Sequence, residues 1–507
     1  MLKRYVDLVA EGARRDPGKT AVVAEDRRLT YADVDERAAR LGAALRSRGV
    51  DPGDRIAVLA ANELEYLEIQ AAGVRSGYTL VPLNWRLAVP ELEYILADSS
   101  PRVLIAGRAE EERVERVAAA AGTPLLVGLG SPARIDPYDE VLASAEPDPE
   151  ADPLDLELLT TILYTSGTTG RPKGAMIDRA GMTARVFVNA VELDARPDDV
   201  FLQALPMFHI AAFLAYAYAF RGATNVMLPA FTPAGCLDVL QRERATSTVL
   251  VPTMIQMLLE DPASERFDAA ALRLIIYGGA PIEPPLLRRA LARFGCGFHQ
   301  QYGMTETGAQ SILRPDDHDP DDDEKLASGG RDAASFEVRI LDLDDRPVPL
   351  SEVGEIACRG PAVMSGYWNL PEATAETLRN GWMHTGDLGY RDARGYVHVI
   401  DRRNDMIISG GENVYPREVE AALTEHPAVR EVAVIGLPDP KWGEVVTAVV
   451  VGDELPDEEL QAYLRERLAG YKVPRRWVWV DDLPRNATGK LVKTTLRAQL
   501  SEVAPDR

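Results

Sequence analysis

The sequence predicts an α/β protein of at least two domains, a large domain of layered helices and sheets followed by a smaller α+β domain. Three observations lead there. The chain has 507 residues, 46% of them hydrophobic, which is more than one hydrophobic core usually supports and ample for two. Helical periodicity and short apolar runs alternate through its first part, the rhythm of α/β layers. Between Tyr164 and Gly174 an apolar run breaks into glycines, hydroxyl side chains and a lysine, as a buried strand does when it opens into a phosphate-wrapping loop.

Taken in order, Thr30-Tyr31-Ala32-Asp33 reads as a helix start with Thr30 as the N-cap. Val34, Ala38, Leu41 and Leu45 follow at helical spacing, and Gly49 stops the helix before an Asp-Pro-Gly-Asp turn. Ile56 to Ala60 is then a short buried strand. The helix-then-strand order returns at Glu63 to Arg75 with Thr79 to Leu83, and at Pro90 to Ala97 with Val103 to Ala106. Leu158 to Leu163 and Leu274 to Tyr277 read as strands entering glycine-rich turns. Ser351 to Tyr367 reads as a turn and a strand. Near the end, Val432 to Ile435, Val445 to Val451 and Trp477 to Val480 read as strands, and Leu460, Tyr463, Leu464 and Leu468 as a helical stripe ended by Gly470.

The net charge of −23 and a pI near 4.8 exclude nucleic acid and anionic membranes as the main partners, so a polyanion needs a locally basic site. The three cysteines, Cys236, Cys296 and Cys358, are widely spaced and odd in number, which fits reduced thiols in a cytoplasmic protein and no zinc site. An acidic residue at Asp7 precludes a signal peptide h-region, and no run approaches the ~18 apolar residues of a membrane span. The acidic stretch Asp316 to Glu324 reads as a solvated loop without a metal, despite His318.

The loop itself is Tyr-Thr-Ser-Gly-Thr-Thr-Gly-Arg-Pro-Lys-Gly. Composition leaves a solvated turn and a phosphate loop equally open. In the second reading, Thr165, Ser166, Thr168 and Thr169 supply hydroxyls, Gly167 and Gly170 let the backbone approach, and Lys173 brings a positive charge. Lys173 follows Arg171 and Pro172, which is not the Walker order. The full string resembles the signature loop of the adenylate-forming (AMP-binding) superfamily, which includes acyl-CoA synthetases, firefly-type luciferases and nonribosomal adenylation domains.

The resemblance continues in order along the chain. Gly278-Gly279-Ala280-Pro281 is similar to the turn that lines the family's adenine and acyl sites, where small residues leave room for a flat ring. Tyr302-Gly303-Met304-Thr305-Glu306 resembles the second core motif, and implies Tyr302 on adenine, Thr305 on phosphate and Glu306 on Mg²⁺. Thr385-Gly386-Asp387 implies that Asp387 accepts from both ribose hydroxyls, with Arg402 near the ribose and α-phosphate. Pattern alone makes His209 a core histidine beside an apolar helix, whereas the similar Pro-x-Phe-His string of acyl-CoA synthetases implies a gate between the carboxylate pocket and the thiol tunnel.

The segment Met406 to Pro416, with Gly410 and Gly411, is similar to the acyl-CoA synthetase form of a loop that meets coenzyme A. By the same resemblance Trp442, Tyr471 and Arg475 lie where related ligases contact the CoA nucleotide, and Lys490, in Pro484 to Lys490, is the catalytic lysine. The implied fold is a large N-terminal adenylate-forming domain, residues 1–403, and a small mobile C-terminal domain, residues 404–507, pivoting at Asn404 where relatives carry Asp or Lys.

The implied activity is that of an acyl-CoA ligase using ATP, Mg²⁺ and CoA. The apolar and aromatic residues at His209 to Phe220 and Val251 to Leu259 favour a hydrophobic acid, aliphatic or aromatic. Two rivals stay open: an adenylation enzyme that hands its acyl group to a separate carrier protein or another nucleophile, and a catalytically silent binding protein on the same fold. Intact Lys173, Thr305, Glu306, Asp387 and Lys490 weigh against the second.

Overall fold

A computed structural model describes residues 7, 9–122, 124–130, 135–148, 157–165, 172–402, 405–409, 412–439, 442–468, 470–485 and 491–502, with 402, 412, 413 and 502 by backbone alone. The chain divides into two compact units. One comprises Met1–Val338 with Cys358–Met383, and the other Arg339–Ala357 with His384–Arg507.

The larger unit is built on two sheets with helical crossovers. After a short helix, Ala10–Arg15, its second helix, Tyr31–Ser47, begins as read: the Thr30 side chain accepts from the Asp33 amide, and the Asp33 carboxylate accepts from the Thr30 amide. Gly49 follows the helix with φ +77°, a conformation glycine adopts without strain. The strands Arg55–Leu59, Thr79–Leu83 and Val103–Ala106 then lie side by side in parallel, because each is separated from the next by a helix that must cross one face of the sheet. Together with Leu159–Thr165, Lys173–Asp178 and three shorter strands they form an eight-stranded sheet. Its phosphate-loop strand, Leu159–Thr165, returns antiparallel as Lys173–Asp178, with Thr165 opposite Lys173. The loop therefore joins the two arms of a hairpin rather than a strand and a helix.

The second sheet has nine strands, ordered Arg331–Asp332, Gly308–Leu313, Gly297–Met304, Leu274–Gly278, Ser247–Leu250, Val200–Gln203, Thr224–Met227, Thr20–Ala24 and Arg27–Thr30. From Thr20–Ala24 to Gly297–Met304 neighbours run parallel, so the Gly278 turn and the Thr305-Glu306 turn emerge together at carboxyl ends of adjacent strands. Ligand sites of open parallel sheets form at such ends.

In the smaller unit, Val429–Asp439 and Gly443–Gly452 form a long hairpin, with Ile407–Ser409 and Arg476–Trp479 on the outer side of its second arm. Alternation along the first arm sends Val434 to one face, packed with Val419, Leu423, Leu460 and Leu464 of two helices. Ala433, Ile435 and Leu437 go to the other face, against Leu483 and Leu496. The helix carrying Leu460 and Leu464 ends at Arg465, so Leu468 packs from beyond it.

A second expectation is corrected. The acidic stretch is not simply a solvated loop, since it contains two short helical turns and buries His318 at 8% exposure. The Tyr277 hydroxyl and His318 Nε2 are hydrogen-bonded at 2.9 Å, and His318 Nδ1 bonds the Arg314 carbonyl at 2.8 Å. No helix among the described residues is long and apolar enough to cross a membrane.

Candidate active site

At the base of the hairpin, the Thr165 hydroxyl donates to the Lys173 carbonyl at 3.4 Å, and the Tyr164 hydroxyl donates to Asp98 at 2.5 Å. Gly174 has no room for a side chain, since a Cβ would stand 2.6 Å from Ile162. The Lys173 ammonium lies 5.1 Å from the centre of the Tyr367 ring, within cation–π range. Ser166, Gly167, Thr168, Thr169 and Gly170 lie outside the described residues.

Tyr367 connects this lysine to the second motif, because its hydroxyl donates to Glu306 Oε1 at 2.7 Å. Both residues are buried, Tyr367 at 7% and Glu306 at 5% exposure. The backbone around Glu306 is held too. The Met364 amide donates to the Glu306 carbonyl at 2.7 Å, while the Arg185 guanidinium donates to the Thr305 carbonyl at 2.9 Å and to the Ala362 carbonyl at 3.0 Å. Burial lowers the Arg185 pKa to about 10, against the opposing pull of Glu306 and Asp178. The turn is tight. A Cβ on Gly303 would stand 1.8 Å from the Gly308 carbonyl, and the Thr307 hydroxyl accepts from the Met304 amide at 3.1 Å.

The donor set suits a hard divalent cation. One carboxylate oxygen of Glu306 is fixed by Tyr367, and no side chain among the described residues donates to the other. Half-buried Thr305 lies beside it in the chain.

The small-residue turn is tight. A Cβ on Gly278 would stand 2.4 Å from the Gln301 carbonyl, and Gly279 has φ +78° with Ala280 exposed. The Tyr302 ring packs on Gly329, where a Cβ would meet it at 3.4 Å. His209 is half-buried just before the Ala212–Phe220 helix. Asn62, buried, pins the approach to it by donating to the Gln203, Leu205 and Leu228 carbonyls and accepting from the Met207 amide. The Phe213 ring of the helix faces Arg185 at 5.1 Å.

The smaller unit carries the other expected ligands. Asp387, 6% exposed, pairs in register with Arg402 on the next strand. Its amide donates to the Thr385 hydroxyl at 3.0 Å, which donates to the Ile356 carbonyl at 2.6 Å. The Gly386 amide donates to one oxygen of Glu355 at 3.2 Å, and His384 Nδ1 lies 3.1 Å from the other. The Arg475 guanidinium stacks 4.0 Å from the Trp442 ring centre. Tyr471 is 37% exposed, with the Lys472 ammonium 5.8 Å from its ring. Asn404, Gly410, Gly411 and Lys490 lie outside the described residues, although Arg485, within the terminal motif, and Leu491, just after it, form an antiparallel bridge.

Sequence reasoning missed Tyr367, Arg185 and Asn62. Each acts on a residue far along the chain, 61 positions away for Tyr367 and Glu306, and none sits in a motif that announces the contact.

An antiparallel hairpin closing a phosphate-type loop, beside two turns at the ends of parallel strands, with a separate α+β unit, defines an adenylate-forming enzyme. The sequence comparisons agree. The family model described as "AMP-binding enzyme" matches residues 9–368, and "AMP-binding enzyme C-terminal domain" matches residues 418–490. The chain belongs to this family and is an AMP-forming acid–thiol ligase. It is 44% identical over 491 residues, 96% of each chain, to a feruloyl-CoA synthase of Amycolatopsis. It is 37% identical over 505 residues, 98% of this chain and 96% of the other, to the fatty acid–[acyl-carrier-protein] ligase ScoC of Streptomyces coeruleorubidus. The ATP-bound crystal structure of MatB from Rhodopseudomonas palustris superposes with a TM-score of 0.89 at 33% identity, covering 99% of this chain and all of that one.

Proposed function

We propose that the enzyme activates a hydrophobic, aromatic carboxylic acid of the hydroxycinnamate type as its acyl-adenylate and transfers it to the thiol of CoA. The single observation that carries this reading is the nearly full-length likeness to a feruloyl-CoA synthase. The buried aromatic helix Ala212–Phe220 behind His209 supports an apolar acid. In the first step a carboxylate oxygen of the acid attacks the α-phosphorus of ATP and pyrophosphate leaves. The reaction joins an anion to a polyanion, so it needs cations placed where charge develops. Lys173 and the hydroxyls of the 165–170 loop bind the outgoing phosphates, Lys490 bridges the acid and the α-phosphate, and Asp387 and Arg402 hold the ribose end. Mg²⁺, when bound by Glu306 with Thr305 nearby, supplies charge neutralisation on the phosphates.

In the second step the CoA thiol attacks the acyl carbon and AMP leaves. Lys490 must first withdraw, so we assign residues 404–507 as the moving domain, pivoting at Asn404 and bringing Gly410 and Gly411 to the pantetheine arm. Trp442, Tyr471 and Arg475 receive the CoA nucleotide, and the exposed aromatic and cationic faces suit an adenine and its phosphates.

Pyrophosphate release across fatty, aromatic and alicyclic acids, with and without CoA, tests this, with mass spectrometry of the products. CoA-dependent turnover with hydroxycinnamic acids is the expected result, and turnover with fatty acids alone overturns the aromatic assignment. A second reading has its own support. The likeness to a fatty acid–[acyl-carrier-protein] ligase favours a carrier thiol as the acceptor. An acyl-adenylate that CoA fails to discharge and a carrier protein does discharge would establish it.

A further inference from the structure

We infer that Tyr367 is a positioning residue of the adenylation step, its hydroxyl aiming the Glu306 carboxylate at the divalent cation and its ring seating the Lys173 ammonium. The inference rests on the roles proposed above for Glu306 and Lys173. It is carried by one side chain meeting both groups. The phenol donates to Glu306 Oε1 at 2.7 Å, and the face of the same ring lies 5.1 Å from Lys173 Nζ.

The tyrosine is itself fixed. Gly366 and Tyr367 form a two-residue strand paired antiparallel with Lys173–Asp178, Tyr367 opposite Ala175, so its backbone is tied to the arm that begins at Lys173. Its amide donates to the Thr374 hydroxyl at 2.8 Å, and the side chain packs in a small cluster with Ala175 and Met364. A Cβ on Gly366 would stand 2.8 Å from Thr374, which leaves the strand no slack. The segment from Ala362 to Tyr367 thus grips the Thr305-Glu306 turn at three points: the Ala362 carbonyl through Arg185, the Met364 amide on the Glu306 carbonyl, and the Tyr367 hydroxyl on the carboxylate.

The physical consequence is specific. A buried carboxylate with one oxygen held by a neutral donor keeps its other oxygen in a set direction, and a metal-binding carboxylate depends on such outer partners. A phenol does this without adding a positive charge that would compete with the cation. The ring face offers the lysine a weak electrostatic seat that a phosphate oxygen outcompetes.

The test titrates Mn²⁺ into enzyme with ATP and no acid, following bound metal by electron paramagnetic resonance, for wild type, Tyr367→Phe and Glu306→Gln. Tyr367→Phe is expected to weaken Mn²⁺ by about tenfold, the usual effect of deleting an outer partner of a metal ligand. Wild-type metal affinity in Tyr367→Phe together with weakened affinity in Glu306→Gln overturns the inference and leaves the reading of Glu306 standing. Unchanged affinity in Glu306→Gln overturns both. Thermal melting checks each variant. Should Tyr367→Phe fold poorly, 3,5-difluorotyrosine at position 367 keeps the ring and hydroxyl while strengthening the donor. A shift in Mn²⁺ affinity is then expected, and none overturns the inference.

Discussion

The Thr305-Glu306 turn and the Trp442–Arg475 pair are both expected ligand sites, and they are built in opposite ways. The turn is interior. Its carbonyls, its carboxylate and its backbone are each held by residues from other segments, Arg185, Met364 and Tyr367. The aromatic–cation pair of the smaller unit stands on two side chains, the guanidinium 4.0 Å from the ring centre, and Tyr471 of the same unit is exposed. Chemistry at a transition state needs groups fixed before charge develops, whereas holding a nucleotide needs only adaptable faces. Substitutions in the turn should therefore damage catalysis and stability together, and substitutions in the pair should change affinity alone.

The largest effect is expected where chemistry is most direct. Lys490→Ala should lower acid-dependent pyrophosphate release by about 10²–10³-fold, the scale of removing one preorganised charge stabiliser. Thiolation of a supplied acyl-adenylate should be spared, and equal loss in both half-reactions would remove Lys490 from the adenylation step. Next, Gly303→Ala forces a Cβ against the Gly308 carbonyl. It should cost about 1–3 kcal/mol of stability by urea denaturation, the range for overpacking, and abolish most adenylation. Wild-type stability with wild-type activity would break the contrast with the pair.

Smaller and cleaner, Trp442→Ala should raise the KM for CoA by about tenfold, in line with a partly desolvated cation–π contact and a lost stacking face. Pyrophosphate release in the first half-reaction should not move. A fall in that step would mean the pair serves adenylation as well.

The smallest effect concerns the scaffold beneath the turn. Burial pushes the His318 pKa from 6.5 down to about 4, and that of His299 down to about 3. The unfolded chain takes up these protons first as pH falls. Stability from this source is present above about pH 6.5 and is lost as pH drops toward 4. Replacing His318 by Gln should flatten that dependence by about one proton in urea titrations between pH 6.5 and 4. An unchanged slope would show that His318 stays paired in the unfolded ensemble.

Much of the fold was legible because its signals are local. The Thr30 cap, the strands around Arg55–Leu59, Thr79–Leu83 and Val103–Ala106, and the strand entering the glycine-rich loop all follow from periodicity and capping over a few residues. His318 was misread for the complementary reason. Its nearest neighbours in sequence are aspartates, and only the sheet brings Tyr277 to its ring, while the Arg314 carbonyl four residues back takes the other nitrogen. Leu468 was placed on a helix that ends at Arg465, a boundary that periodicity does not mark.

By itself the sequence determined the α/β class and the order of the motifs, and it named the groups proposed above to meet ATP, since those depend on which residue types stand together in a short stretch. The tertiary structure alone decided how those groups are held: Tyr367 joining Lys173 to Glu306, Arg185 bridging Thr305 to Ala362, and Asn62 pinning the path to His209. These partners lie 61 to 194 positions apart in the chain. Hydrogen bonds and ring contacts act over a few ångströms, and such pairs become neighbours only after the sheets have formed.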